Sequence, residues 1–157
     1  MELYIKQRIF SFGDRFSVYN AAGEEVYYVE GEVFTFGKKL HLYDCGGREL
    51  AYIEQQLFTF RPHYQVFLNG REFATVIREF TFFHPEYTVE GPGWSVQGDF
   101  WDHDYAINDG VSNVASVEKE WFTLGDAYRI SVADGRDAVA ALAVVLVIDA
   151  CIAAERN

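Results

Sequence analysis

The chain has 157 residues, 50% of them hydrophobic and 17% aromatic, with 14 Phe and 10 Tyr. That is enough apolar material for one packed domain, rich in the rings that suit pleated sheets, and it sets aside a disordered chain. The formal net charge of −11 repels phosphate backbones and argues against non-specific nucleic-acid binding.

The first residues, Met1-Glu2-Leu3-Tyr4-Ile5-Lys6, lack the basic region and long apolar run of a secretion signal. Cys45 and Cys151 are too few for a disulfide framework, and neither stands at metal-ligand spacing. The expected setting is therefore reducing and cytoplasmic.

An internal repeat follows. Phe10-Ser11-Phe12-Gly13, Phe34-Thr35-Phe36-Gly37 and Phe58-Thr59-Phe60-Arg61 recur at a spacing of 24, and Phe122-Thr123-Leu124-Gly125 echoes them. One supersecondary unit is being reused. After each copy comes a short alternating strand, with Phe16 and Val18, Leu40 and Leu42, Val66 and Leu68, or Tyr128 and Ile130 on one face. Ser17, His41, Gln65 and Arg129 fall between them, and period two with one wet face predicts antiparallel pairing. The first three strands run into Asn20-Ala21-Ala22-Gly23, Asp44-Cys45-Gly46-Gly47 and Asn69-Gly70, residues that tolerate the left-handed backbone of hairpin turns. Residues 26–36 read either as one long strand bulged at Gly31 or as two short ones. Residues 85–90, 94–105 and 111–121 read as further strands, separated by Gly91-Pro92-Gly93 and Asn108-Asp109-Gly110. The expected count is ten to twelve.

The chain closes on a helical segment, residues 136–155, that has no polar face: none of residues 138–148 is polar. Such a helix must be enclosed by lipid or by protein. Residues 137–154 would extend only about 27 Å, the uninterrupted apolar run is 11 residues, and Asp149 interrupts it. A core helix is predicted rather than a transmembrane one. Seven of the 17 residues 138–154 are alanine, so the rod is slim enough for a sheet of about eleven or twelve strands to close around it. Asp149, on an enclosed helix, should be paired, protonated or near the barrel mouth.

Leu3-Tyr4-Ile5-Lys6-Gln7, Tyr27-Tyr28-Val29-Glu30-Gly31-Glu32, Phe80-Thr81-Phe82-Phe83, Gly98-Asp99-Phe100-Trp101-Asp102-His103-Asp104-Tyr105 and the apolar tail resemble the LURP-one-related proteins of the tubby carboxy-terminal-like superfamily. The resemblance runs nearly end to end. It implies a single domain over residues 1–157: a twelve-stranded antiparallel barrel over residues 1–133, closed around the central helix. Relatives in fold include phosphoinositide-binding tubby domains and phospholipid scramblases. The family brings no settled activity, and the phosphoinositide-binding residues of tubby domains have no match here.

Candidate chemistry is sparse. Asp99, Asp102, His103 and Asp104 form the densest group of metal-ligand or acid–base residues, but in a continuous strand His103 faces away from Asp102 and Asp104. That segment is expected to be structural, with Trp101 and Tyr105 packing beside His103. Cys45 reads as a turn thiol and Cys151 as core, and no cofactor motif is present. The repeat should bring Arg15, Lys38, Lys39, Arg61 and His63 to one rim as a local anion site, with Asp14 interrupting it, although charges at turns need no special explanation. The reading is a non-enzymatic binding or scaffold module, cytoplasmic or peripheral at the membrane, whose partner is an anionic phospholipid headgroup. The alternatives are a purely protein-binding regulatory module and a metal-dependent enzyme using residues 99–104.

Overall fold

The structure, a computed structural model, describes residues 1–6, 15–32, 35–81, 84–120 and 127–156. Twelve strands follow in order: β1 (Glu2–Lys6), β2 (Arg15–Tyr19), β3 (Glu25–Gly31), β4 (Lys39–Asp44), β5 (Glu49–Gln56), β6 (His63–Leu68), β7 (Arg71–Glu79), β8 (Glu86–Glu90), β9 (Trp94–Asp99), β10 (Asp104–Asn108), β11 (Asn113–Glu120) and β12 (Ala127–Val132). One helix, α1 (Ala138–Arg156), completes the chain. Every strand pairs antiparallel with its sequence neighbours, and β1 pairs with β12 to close the barrel, Leu3 opposite Ile130 and Ile5 opposite Tyr128. Closure leaves no sheet edge exposed.

The alternating residues explain the wall. Leu3, Val18, Leu42, Val66 and Ile130 point inward and are buried, while Ser17, His41, Gln65 and Arg129 face outward. Inside, α1 runs the length of the barrel, and residues 141–148 have no accessible surface. It is long and apolar enough to cross a membrane by length and composition, yet the barrel wall takes the place of lipid around it. Asp137 precedes Ala138 as the helix cap, its Oδ1 accepting the Ala140 N–H at 3.1 Å. Arg136 bonds Asp109 and the Ser112 hydroxyl, tying the helix entrance to the β10–β11 turn.

Because the meander alternates direction, connections after even-numbered strands lie at one end and those after odd-numbered strands at the other. The first end is made of tight turns. Asn20 Oδ1 accepts the N–H groups of Ala22 and Glu24, Asp44 Oδ1 those of Gly46 and Arg48, and Asp109 Oδ1 those of Val111 and Ser112, at 2.7–3.0 Å. Asn69 and Gly70, at φ 51° and 78°, form the two-residue hairpin expected of Asn-Gly.

Two readings of the strands change. β3 stops at Gly31, which pairs with Leu40, and the copies of the repeat at residues 10–13 and 122–125, with Phe34, lie outside the described residues. Residues 94–105 are not one strand. They form the β9–β10 hairpin, with Phe100, Trp101, Asp102 and His103 as its turn. The Asp102 N–H donates to Asp99 Oδ1 at 3.2 Å, and His103 adopts φ 51°. Gly98 makes the hairpin fit, since a Cβ there would meet Asp104 O at 2.4 Å and Tyr105 Cα at 2.6 Å.

Candidate functional site

The second end of the barrel carries the loops that follow β3, β5, β7 and β9, together with the carboxy-terminal turns of α1. Arg15, Lys39 and His63 begin β2, β4 and β6, and Lys38 and Arg61 lie just ahead of β4 and β6, so all five belong to this end. Their side chains do not form one cluster. Arg15 lies against the outer wall, 4.2 Å over the Tyr28 ring and between Glu25 and Glu30 at 3.7 and 3.6 Å. Lys38 turns inward, its Nζ donating to the Ala150 carbonyl of α1 at 2.9 Å, and burial lowers its pKa. A cation on the carboxy-terminal turns of a helix meets the negative end of the dipole. Arg61 pairs with Glu79, and His63 Nδ1 donates to the Arg61 carbonyl at 2.7 Å. Lys39 stands opposite Glu54 in the β4–β5 register. Asp14 lies outside the described residues.

Between these cations stand apolar rings that sequence reasoning uses only as repeat markers. Phe36 is 91% exposed, Phe58 and Phe60 are fully or almost fully exposed, and Phe80, Leu57 and Trp101 are also exposed. All six sit in loops of this end. Met1 and Val111, the other large exposed hydrophobic residues among those described, sit at the turn end. Phe60 and Phe80 meet edge to face across neighbouring loops, their centroids 5.7 Å apart. The available signal is the position of Phe36, Phe58 and Phe60 just ahead of β4 and β6, in loops too short to bury them.

Inside the same end, α1 presents its one buried acid. The Asp149 side chain is 12% exposed, and Tyr128 donates its hydroxyl to Asp149 Oδ2. His103 Nδ1 stands 4.0 Å from Asp149 Oδ1, and its ring stacks on Tyr128 at 4.3 Å. Burial pushes the Asp149 carboxyl up to about 7, while the Tyr128 hydrogen bond pulls it the other way. The expected company of His103 was Trp101 and Tyr105. Tyr105 does face inward, but Trp101 projects at the turn and Tyr128 supplies the stacking ring. The left-handed turn residue decides this, since it swings His103 off the strand and into the barrel. Nearby, burial raises the Cys151 thiol to about 12, as suits a core cysteine. Cys45 lies in the β4–β5 turn and donates to the Glu25 carbonyl. Among the described residues, no three His, Cys, Asp or Glu side chains converge as a metal-ligand set.

The model of the LURP-one-related family matches residues 1–149. The chain belongs to that family. This LURP-one-related domain is 34% identical over 149 residues to the uncharacterized protein YxjI of Bacillus subtilis (strain 168), covering 95% of this chain and 92% of that one. Its fold matches the X-ray structure of an Arabidopsis thaliana protein with a TM-score of 0.70 at 16% identity, over 96% of this chain and 90% of the plant protein. That likeness concerns the LURP-one-related barrel and helix alone.

Proposed function

We propose that this domain is a non-catalytic binding module that docks peripherally on a phospholipid surface through its loop end, within the cytoplasm. The observation that carries the reading is the gathering of Phe36, Phe58, Phe60 and Phe80 in solvent at one end of the barrel, beside Lys39, Arg61 and His63. Exposed apolar patches on one face mark interaction surfaces. Rings interleaved with cations suit the headgroup boundary, where rings leave water and cations meet phosphate. Each Phe side chain fully withdrawn from water contributes about 1.5–3 kcal/mol before ordering costs. The net charge of −11 opposes an anionic surface at long range, so the rings carry most of the affinity and the cations act locally. The non-catalytic part is supported by the 99–104 segment, where Asp99 holds the turn and His103 faces the interior.

Sedimentation with phosphatidylcholine vesicles, with and without phosphatidylserine, tests the proposal. The parent is expected to sediment with both, and Phe58→Ser with Phe60→Ser to weaken binding by at least about tenfold. Lys39→Gln with Arg61→Gln should remove only the increment due to phosphatidylserine, and added salt should do the same. A parent protein that stays in the supernatant with both vesicle types overturns the proposal.

A further inference from the structure

On the outer wall of β4–β6 lies a groove of about 520 Å³, walled by His41, Tyr52 and Phe67 and edged by Glu32, Glu49 and Glu54. It belongs to a continuous row of rings across four strands. Tyr28 stacks on Tyr43 at 5.0 Å, Tyr43 on His41 at 6.0 Å, His41 meets Tyr52 at 4.9 Å, and Tyr52 stacks on Phe67 at 5.9 Å. The first ring of the row is already occupied: the Arg15 guanidinium lies 4.2 Å over Tyr28, between Glu25 and Glu30. A guanidinium over a ring face, flanked by carboxylates, combines attraction to the quadrupole with ion pairing.

The 24-residue repeat builds this seat twice. Adding 24 to Glu25, Tyr28 and Glu30 gives Glu49, Tyr52 and Glu54, and adding 24 to Arg15 gives Lys39. The register agrees, since Arg15 stands opposite Glu30 and Lys39 opposite Glu54. Tyr52 donates its hydroxyl to Glu54 at 3.1 Å, and His41 in the second copy replaces Ser17, bonded to Glu32 and Glu49. Among the described residues no guanidinium lies over Tyr52, and the groove opens where Arg15 would sit in the first copy. Three glutamates against Lys39 leave the groove net negative even with His41 protonated.

We infer that this groove is a receptor for an arginine side chain of an extended segment from a partner protein, seated on Tyr52 between Glu49 and Glu54 as Arg15 is seated on Tyr28. The barrel has no free edge, so the partner is read by its side chains and not by strand addition. This surface lies on the outer wall and adjoins the loop end proposed to meet lipid, with Lys39 at the border of the two.

Fluorescence anisotropy with a labelled arginine–serine peptide, and with lysine–serine and glutamate–serine peptides of the same length, tests the inference. The arginine peptide should bind best, the lysine peptide several-fold more weakly, and the glutamate peptide not at all. Tyr52→Leu should weaken arginine-peptide binding by about tenfold, the size of one cation–ring contact, while Tyr52→Phe retains it. Glu49→Gln with Glu54→Gln should also weaken it, and Lys39→Gln should strengthen it, the opposite of its expected effect on phosphatidylserine vesicles. As a readout independent of variant folding, the His41 ring signals of the parent should shift on titration with the arginine peptide. Absence of binding, equal binding of the lysine peptide, or binding that leaves the His41 signals in place overturns the inference. So does arginine-peptide binding lost to Phe58→Ser with Phe60→Ser and not to Tyr52→Leu.

Discussion

At the turn end of the barrel, two to five residues join successive strands, and Asn20, Asp44 and Asp109 take up the backbone N–H groups. At the loop end, the connections after β3, β5 and β7 run to six or seven residues and hold Phe36, Phe58, Phe60 and Phe80 in water. Both ends belong to the same strands and enclose the same helix. The turn end commits its polar side chains to local hydrogen bonds that define the hairpins. The loop end leaves apolar surface uncovered, which folding would be expected to bury, and it brings the interior acid Asp149 close to the surface. The difference separates residues that specify the barrel from residues free to meet a partner.

The largest effect should come from the helix that both ends share. Val144 has no accessible surface, and Val144→Asp would bury an unpaired charge at a cost of roughly 4–5 kcal/mol or more, enough to unfold the domain. Both ends should be lost together in one transition by circular dichroism. If thermal melting stays cooperative near the parent temperature, the enclosed helix is wrong.

Next in size is the pH response of the loop end. Asp149 titrates near 3.8 in an unfolded chain and about 7 when folded, so the folded state binds its proton more tightly. Its contribution to stability is greatest at and below pH 4, falls as the pH rises towards 7, and levels off above that, a loss on the order of 4 kcal/mol. Tyr128, His103 and Tyr105 are the titratable groups around it. A side-chain amide at this position could still accept the Tyr128 hydroxyl without ever ionising, so Asp149→Asn should gain on the parent as the pH rises from 4 to 8. Urea titrations across that range measure it, and a constant difference between the two proteins would remove the argument.

Smaller is the cost of the turn device. Asp44→Ala strips acceptors from two N–H groups at exposed positions and should cost about 1 kcal/mol while leaving vesicle binding at the parent level. The reciprocal change has the smallest effect on stability: Phe58→Ser with Phe60→Ser should stay within about 0.5 kcal/mol per substitution while vesicle binding falls. Lys38 does not belong with such surface changes. It bonds the Ala150 carbonyl and is partly buried, so Lys38→Gln should lower the melting temperature, which a thermal scan beside Lys39→Gln would show. Equal effects of Asp44→Ala and the Phe pair on both readouts would erase the distinction between the ends.

Much of the wall is legible from local pattern. Phe16 and Val18, or Leu40 and Leu42, alternate with polar residues because one face of each strand is buried. Asn69-Gly70 announces its hairpin through backbone conformations that few other residues accept. The 94–105 segment reads as a single strand because Asp102 and His103 carry no glycine or proline to mark the turn. The signals against that reading are a length excessive for one strand and Gly98, whose missing Cβ lets β10 approach.

Short windows of the chain suffice for the fold class, for the helix and its enclosure, and for the core-facing side of the strands that follow the repeat, since these follow from periodicity and composition. What meets at a distance does not follow from any such window. Folding placed His103 and Tyr128 against Asp149, turned Lys38 inward to α1 while Arg15 lay on Tyr28, and left Phe36, Phe58 and Phe60 in water at one end. Those outcomes depend on barrel closure and on register between neighbouring strands, which bring together residues far apart in the chain. Periodicity tells which face a side chain takes, but only closure and register determine which partner, if any, stands there.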